Sequence, residues 1–293
     1  MHQPVLLHET IKVLDLKPGD FAIDGTIGGG GHAREMLKKI SPGGTLLGID
    51  WDETAISALH SKLKAKSSKL VLVQGNYADL REILREQSLP KADALLLDLG
   101  FSSDQLEASG RGFSFQKDEP LLMTYDDARM PVWKILKHIS EGELAKVIKG
   151  FGGEKYAKHI AKAIKETGKK SPIRTSGELA KIIREVLPRH YEDGRIDPAT
   201  RTFQALRIQA NDELKNLKKV LAAIPKIMNP GGRVAVITFQ SLEDDIVKDA
   251  FWHMAQEKTA ERITKRSIVA SVKELKENIR SRSAKLRAIK MSF

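Results

Sequence analysis

Apolar and polar positions follow two rhythms in the first hundred residues. Short apolar runs occur at AIDG after Phe21, GTLLGID (44–50), KLVLVQG (69–75) and DALLLDLG (93–100). Between them, apolar residues recur every three or four positions, from His32 to Lys39, in TAISALHSKLK (54–64) and in ADLREILREQ (78–87). The runs predict strands and the intervening stretches predict amphipathic helices. Strands separated by helices of about ten residues predict parallel βαβ units. The unbroken apolar centre of DALLLDLG suits a strand covered on both faces.

After residue 100 the rhythm changes. FSSDQLEASGRGFSFQKDEPLLMTYDD has no clean period, and so long a loop in a compact domain is usually functional. From Val132 to Leu187 only helical patterns occur, with Thr175 and Ser176 as N-cap candidates for SGELAKIIREVL. DPATRTFQALRIQANDELKNLKKVLAAI predicts one long helix. PGGRVAVITF (230–239) then predicts a turn and a strand, SLEDDIVKDAFWHMA a helix, and AKLRAIKM (284–291) a closing strand. The expectation is an α/β fold whose mostly parallel sheet is built from residues 1–106 and 200–293, with an all-helical domain inserted at 107–199.

Charge changes this picture more than composition does. The 293 residues are 41% hydrophobic and 30% charged, ordinary for a globular chain. Net charge is +11, and it is uneven. Trp133–His190 holds 14 Lys and Arg against 6 Glu, and Lys258–Lys290 holds 11 against 3. Basic clusters point to a polyanion such as nucleic acid, or to solvated helix faces. There are no cysteines, so disulfides, thiolate metal sites and cysteine nucleophiles are excluded. The scattered histidines predict no metal. No apolar run is long enough to cross a bilayer, and MHQPVLLHET has no signal-peptide pattern, so a cytoplasmic protein is expected.

Candidate chemistry gathers around DGTIGGGGH (24–32). A strand, a glycine loop and a helix start let a ligand approach bare backbone beside unpaired N–H groups. Gly28, Gly30 and Ala33 satisfy G-x-G-x-x-A, a weak match in itself. Asp24, Asp50 and Asp98 each end a predicted strand, where an open α/β sheet holds its ligand. Asp50 lies 19 residues past Gly31, about where a carboxylate grips ribose hydroxyls. A carboxylate directly before the glycines favours a ligand with a cationic end, such as S-adenosylmethionine, over a pyrophosphate-bearing dinucleotide.

The motifs HQPVLLHE, DGTIGGGGHA, GIDWD, DALLLDLGFSSDQL, RGFSF, FGGEKYAKHIAKAI, DPATRTFQALRI, PGGRVAVITFQSLEDDIVK and RSRSAKLR span almost the whole chain in order. In these the sequence resembles the bacterial 16S rRNA cytosine-N4 methyltransferases, the MraW family. The resemblance implies a class I, Rossmann-like methyltransferase sheet with a helical insertion that recognises substrate. It implies methylation of one exocyclic cytosine amine in the decoding region of small-subunit rRNA. It also implies donor contacts from Gly30, Gly31, His32, Asp50, Tyr77, Asp98 and Gln105, with Tyr77 stacking on adenine. Three segments depart from the family: PLLMTY has Leu122, Thr124 and Tyr125 where Asp, Arg and Met are usual. TFQSLED has Gln240 for histidine, and NIRSRS has Ile279 for proline.

The N4 amine of cytosine is a poor nucleophile, so placement and hydrogen-bond acceptors come first. DLGFSS supplies the Asp98 carboxylate and the Ser102 and Ser103 hydroxyls as the expected catalytic group. Without cysteine, covalent addition to the pyrimidine ring is unavailable, which favours a nitrogen or oxygen target. The target base would leave its stack, with Arg111, Arg201 and Arg207 near its phosphates and Phe113 or Phe115 either stacking on it or anchoring the loop. The expected partner is 16S rRNA within the small subunit, and a homodimer is compatible with the sequence. A nicotinamide-dependent oxidoreductase and a non-catalytic rRNA-binding assembly factor are the competing functions.

Overall fold

The computed structural model describes residues 4–63, 67–99, 110–188, 190–194 and 196–292. The chain forms two compact units, Met1–Gly100 with Leu214–Phe293, and Phe101–Glu213.

The first unit is built on an eight-stranded sheet. Its strands are β1 (Phe21–Asp24), β2 (Thr45–Asp50), β3 (Lys69–Gln74), β4 (Ala92–Asp98), β5 (Met228–Thr238), β6 (Ala260–Arg262), β7 (Ile268–Val269) and β8 (Lys285–Met291). The order is β3-β2-β1-β4-β5-β8-β6, with β7 also on β8. Strands β1 to β5 pair in parallel, and β8 is antiparallel to β5. The helices of this unit are α1 (Leu7–Leu14), α2 (Gly31–Ile40), α3 (Glu53–Lys62) and α4 (Leu80–Glu86), then α10 (Glu213–Ile227), α11 (Ser241–Gln256) and α12 (Val272–Glu277), where α10 begins one residue before the unit resumes.

Apolar residues on both sides of β1 and β4 explain why helices cover both faces. Ile23, Leu95 and Leu97 pack with Leu80, Leu217, Ile224 and Phe251 on one face. Ala22, Ala94 and Leu96 pack with Leu14, Met36, Ile40 and Leu59 on the other. The strand and helix expectations of the first hundred residues thus match the observed elements, and α1 is an addition that the sequence pattern does not predict.

The second unit contains α5 (Val132–His138), α6 (Glu141–Gly152), α7 (Ala157–Lys170), α8 (Ser176–Val186) and α9 (Thr200–Asn211). Its core joins Leu144, Ile148, Ile160, Ile164, Leu179, Ile183, Phe203 and Leu206. Reciprocal capping boxes start α6 at Ser140 with Glu143 and α8 at Thr175 with Glu178. The cap of α8 is therefore Thr175, and Ser176 is its first residue.

Two expectations need correction here. The single long helix after residue 197 is two helices, because Asp212 adopts a left-handed conformation with φ 52°. The cause is Asn211, whose amide donates to the Met123 carbonyl at 2.8 Å and to the Arg207 carbonyl at 2.9 Å, and accepts from the Tyr125 N–H at 2.9 Å. The helical unit accordingly runs to Glu213, and the chain returns to the sheet unit at Leu214 rather than at residue 200. Helix α9 stays with the helical unit because Phe203, Leu206 and Ala210 lie in its core. Gly152 of α6 also sits so close to the Arg201 carbonyl of α9 that any Cβ there would collide.

Candidate active site

Sheet register, not sequence proximity, assembles the acidic residues. Asp24 is opposite Gly48 of β2 and Leu96 of β4. Asp50 and Asp98 each stand two residues further along those strands, so the period of two puts all three carboxylates on one face of the sheet. Asp24 is 1% exposed and Asp50 7% exposed. Burial pushes Asp24 up to about 7; the Thr26 amide opposes this, and the nearby Asp98 and Asp50 charges reinforce it. Burial likewise raises Asp50, against the amide hydrogen bonds from Asp52 and Gly28. Such a group of desolvated, mutually repelling carboxylates is electrostatically ready for a cation.

The glycine loop is fastened to these acids. The Gly28 N–H donates to Asp50 Oδ2 at 2.9 Å, and the Asp52 N–H to Asp50 Oδ1 at 3.0 Å. Gly30 caps α2 in a left-handed conformation, φ 74°, which a side chain there would strain. Gly29 faces open space, so the loop presents bare backbone. Gly31 is the first residue of α2 and lies against Pro4. The N–H groups of a first helical turn have no acceptor within the helix and are suited to a ligand.

Asp98 has Thr26 and His32 as neighbours. Its N–H donates to Thr26 Oγ1 at 2.7 Å. Its Oδ2 lies 3.6 Å from His32 Nδ1. His32 is buried, and its Nε2 is 3.1 Å from the Val5 carbonyl. A carbonyl oxygen only accepts, so Nε2 carries the hydrogen toward Val5, and Nδ1 faces the Asp98 carboxylate across 3.6 Å, where attraction requires a second proton on the ring. His32 thus lies beside Asp98, with its ring oriented by the Val5 carbonyl. Thr26 and Val5 are site residues that the sequence reading does not name; HQPVLLHE and the DGT triplet were the signals available for them.

Tyr77 is buried in the core cluster with Leu97 and Val236, at the start of a 3₁₀ turn capped by Asn76, whose side chain accepts from the Ala78 N–H at 2.8 Å. Ser102, Ser103 and Gln105 lie outside the described residues.

The three arginines expected at RNA phosphates are tied to groups within the helical unit. Arg111 donates to the Thr124 carbonyl at 2.6 Å, to Thr124 Oγ1 at 2.8 Å and to Asp127 at 2.8 Å. Arg207 makes a two-pronged contact with Glu213 at 2.8 and 3.0 Å. Arg201 pairs with Glu192 at 3.1 Å. Phe113 stacks on Tyr125 with centroids 5.6 Å apart, and Phe115 meets Phe203 edge-on at 5.3 Å, so both anchor their segment to the helical core. Three of the five departures from the family pattern have structural duties: buried Thr124 receives Arg111, Tyr125 donates to Glu213 at 2.9 Å, and Gln240 opens α11 with its N–H on Glu243 at 3.2 Å. Beside it, buried Asp244 receives Arg287 at 2.6 Å and Lys285 at 3.1 Å; burial acts to raise its pKa, and these two cations outweigh that and lower it.

Among the described residues no three His, Asp or Glu side chains are grouped as metal ligands, and no helix is long and apolar enough to cross a membrane. A glycine loop after β1 and carboxylates ending β1, β2 and β4 of a Rossmann-like sheet define an α/β enzyme that takes a nucleoside-bearing, cationic ligand. The family is narrower than that class. The chain belongs to the MraW methylase family, which it matches over residues 1–292. It is 40% identical to "Ribosomal RNA small subunit methyltransferase H" of Clostridioides difficile (strain 630), covering 98% of this chain and 97% of that one. It is 43% identical to the protein of the same name from Dictyoglomus thermophilum, covering 98% and 95%. Among solved structures it is similar to an rRNA methylase from Streptococcus thermophilus, with TM-score 0.45 and 8% identity over 100% of this chain and 99% of that one.

Proposed function

We propose that this protein methylates the exocyclic N4 amine of a cytosine in the decoding region of 16S rRNA, taking the methyl group from S-adenosylmethionine and acting on the small ribosomal subunit. The coarser statement is that it is an S-adenosylmethionine-dependent rRNA methyltransferase. It is supported by membership of a methylase family along the whole chain and by relatives named for small-subunit rRNA methylation.

The observation that carries the donor is the acidic face at the ends of β1, β2 and β4. S-adenosylmethionine, when bound, supplies an electrophilic methyl on a sulfonium whose departure as a neutral thioether needs no acid. Asp24 and Asp50 then offer negative charge to its cationic end and hydrogen-bond acceptors to its ribose. Gly29 leaves room for close contact. Asp98 accepts hydrogens of the target amine and so aims its lone pair, a role that depends on rigid placement. Thr26 supplies rigidity at the backbone, where its hydroxyl oxygen accepts the Asp98 N–H at 2.7 Å. Nitrogen rather than ring carbon is favoured because the chain has no cysteine to add to the pyrimidine.

The test combines labelled donor, small subunits and mass spectrometry of the digested rRNA. N4-methylcytidine is expected from the wild-type protein. Asp98→Ala should lower turnover roughly 10²–10³-fold, the size of losing one positioned hydrogen-bonding group, with unchanged circular dichroism. A methyl group on carbon 5 or on a ribose oxygen would refute the target. Near-normal turnover of Asp98→Ala would refute the role given to Asp98.

A further inference from the structure

The three arginines nominated for phosphate contact are engaged with Thr124, Asp127, Glu192 and Glu213, which directs attention to cations elsewhere in the helical unit. Helix α7 carries Lys158, Lys162, Lys165 and Lys169 at steps of four, three and four residues. At 100° per residue they fall within about 60° of one another around the axis. The opposite side of the same helix, Ala157, Ile160, Ala161 and Ile164, is buried in the core, so the orientation of the lysine face is fixed. Lys158, Lys162 and Lys169 are exposed. Lys165 instead bends over the end of α5, donating to the Leu136 carbonyl at 2.8 Å and the Lys137 carbonyl at 3.2 Å, where a cation satisfies a helix C-terminus. Glu166 lies 3.8 Å from Lys162, with both side chains more than half exposed. A pair so exposed contributes little and is readily exchanged for another anion.

From this geometry we infer that the lysine face of α7 is a docking rail for the phosphate backbone of the RNA substrate, with Lys158, Lys162 and Lys169 as its contacts. Lys158 to Lys169 spans about 16 Å along the helix axis, the length of roughly five stacked nucleotides in one strand. No exposed large hydrophobic residue lies on α7, which leaves charge as the means of recognition and a polyanion as the complementary partner. Lysines are flexible point charges that suit phosphates without reading sequence. The rail therefore holds and orients rRNA, while base choice is made elsewhere. The inference rests on the rRNA-methylation reading and adds the surface through which it operates.

The experiment compares three full-length proteins: wild type, a rail variant (Lys158→Ala, Lys162→Ala, Lys169→Ala), and a control of equal charge loss (Lys146→Ala, Lys149→Ala, Lys181→Ala) from exposed positions on α6 and α8. Each is measured for donor affinity, for kcat and KM on small subunits, and for binding of transcribed 16S rRNA against salt concentration. The rail variant should show unchanged donor affinity and kcat, a KM for RNA raised roughly tenfold or more, and a log–log salt slope shallower by about 2, at roughly 0.7–0.9 per lost phosphate contact. The control should change the slope by less than half as much. Equal effects from the two triples would mean that only total charge matters and would overturn the rail. A rail variant with wild-type KM and slope would also overturn it while leaving rRNA methylation intact. If the wild-type protein itself neither bound nor methylated rRNA while still binding the donor, the substrate reading would fall, and the rail with it. Rail-dependent binding to an acidic protein instead of RNA would likewise reject the proposal.

Discussion

The two units treat charge in opposite ways. In the sheet unit the decisive acids, Asp24 and Asp50, are almost fully buried, and Asp24 is pushed up to about 7. In the helical unit Lys158, Lys162 and Lys169 of α7 stand in water, and Arg201 and Arg207 are neutralised by neighbouring carboxylates. Buried charge is costly and specific, because it is stabilised only by a partner of matching sign and shape. Exposed charge costs little, is screened by salt and acts over a distance. A pocket for a small cation and a surface for a long polyanion call for these two arrangements respectively. The comparison predicts that the sheet unit's site will answer to pH and the helical unit's surface to ionic strength.

The largest stability effect that would break this comparison lies at Asp24. Its native pKa is above its unfolded value, so the folded state holds a proton that the unfolded state gives up. Below the unfolded value, near pH 4, both states are protonated and Asp24 contributes nothing. Stability then falls as pH rises, and the full cost is present above about pH 7. A shift of that size corresponds to up to about 4 kcal/mol. Asp24→Asn should therefore melt above the wild type at pH 8 in ligand-free protein and close to it near pH 4. The same variant should bind the cationic donor more weakly, and wild-type donor affinity should rise with pH through 7 as Asp24 ionises. A stability difference that does not change between pH 4 and pH 8 would show that Asp24 is not under the strain of burial.

The second test lies in the helical unit, where packing rather than charge dominates. Gly152→Ala puts a Cβ against the Arg201 carbonyl, a backbone atom that cannot rotate away. Overpacking of this kind should cost about 1–3 kcal/mol, at any pH from 5 to 8. Chemical denaturation of the wild type and the variant at two pH values separates this from the behaviour of Asp24. A neutral substitution would mean that α6 and α9 can move apart cheaply.

The sequence displays the two units unequally. Strand positions were legible in the first hundred residues because their apolar runs are short, bounded by turn residues and spaced by helices. That Asp24, Asp50 and Asp98 end strands was legible for the same reason; that they share one face follows only from the register of β1 with β2 and β4. The break at Asp212 was not legible, since the apolar period continues through it and its cause is a hydrogen bond from Asn211 to Met123, 88 residues away. The arginines show the same limit. Arg201 and Arg207 are basic in any alignment of letters, but whether they face phosphate or carboxylate depends on where Glu192 and Glu213 fold. His32 was legible as a member of the glycine motif, and its place beside Asp98 was not, because the Val5 carbonyl that orients it comes from 27 residues earlier.

The smallest effect is expected at the start of α8. Thr175 accepts from the Glu178 N–H at 3.2 Å, and Glu178 returns a bond from the Thr175 N–H at 3.1 Å. Glu178 also receives the Arg174 N–H at 2.6 Å, so one carboxylate satisfies two backbone donors before the helix begins. Thr175→Ala removes one half of this arrangement and should cost about 1 kcal/mol. Because Glu178 keeps its own two contacts, Glu178→Ala should cost at least as much, and the double variant should lose less than the sum of the two. Thermal melts of the three variants give the coupling directly. Strict additivity would mean that the two side chains cap independently, and that the reciprocal cap carries no joint energy.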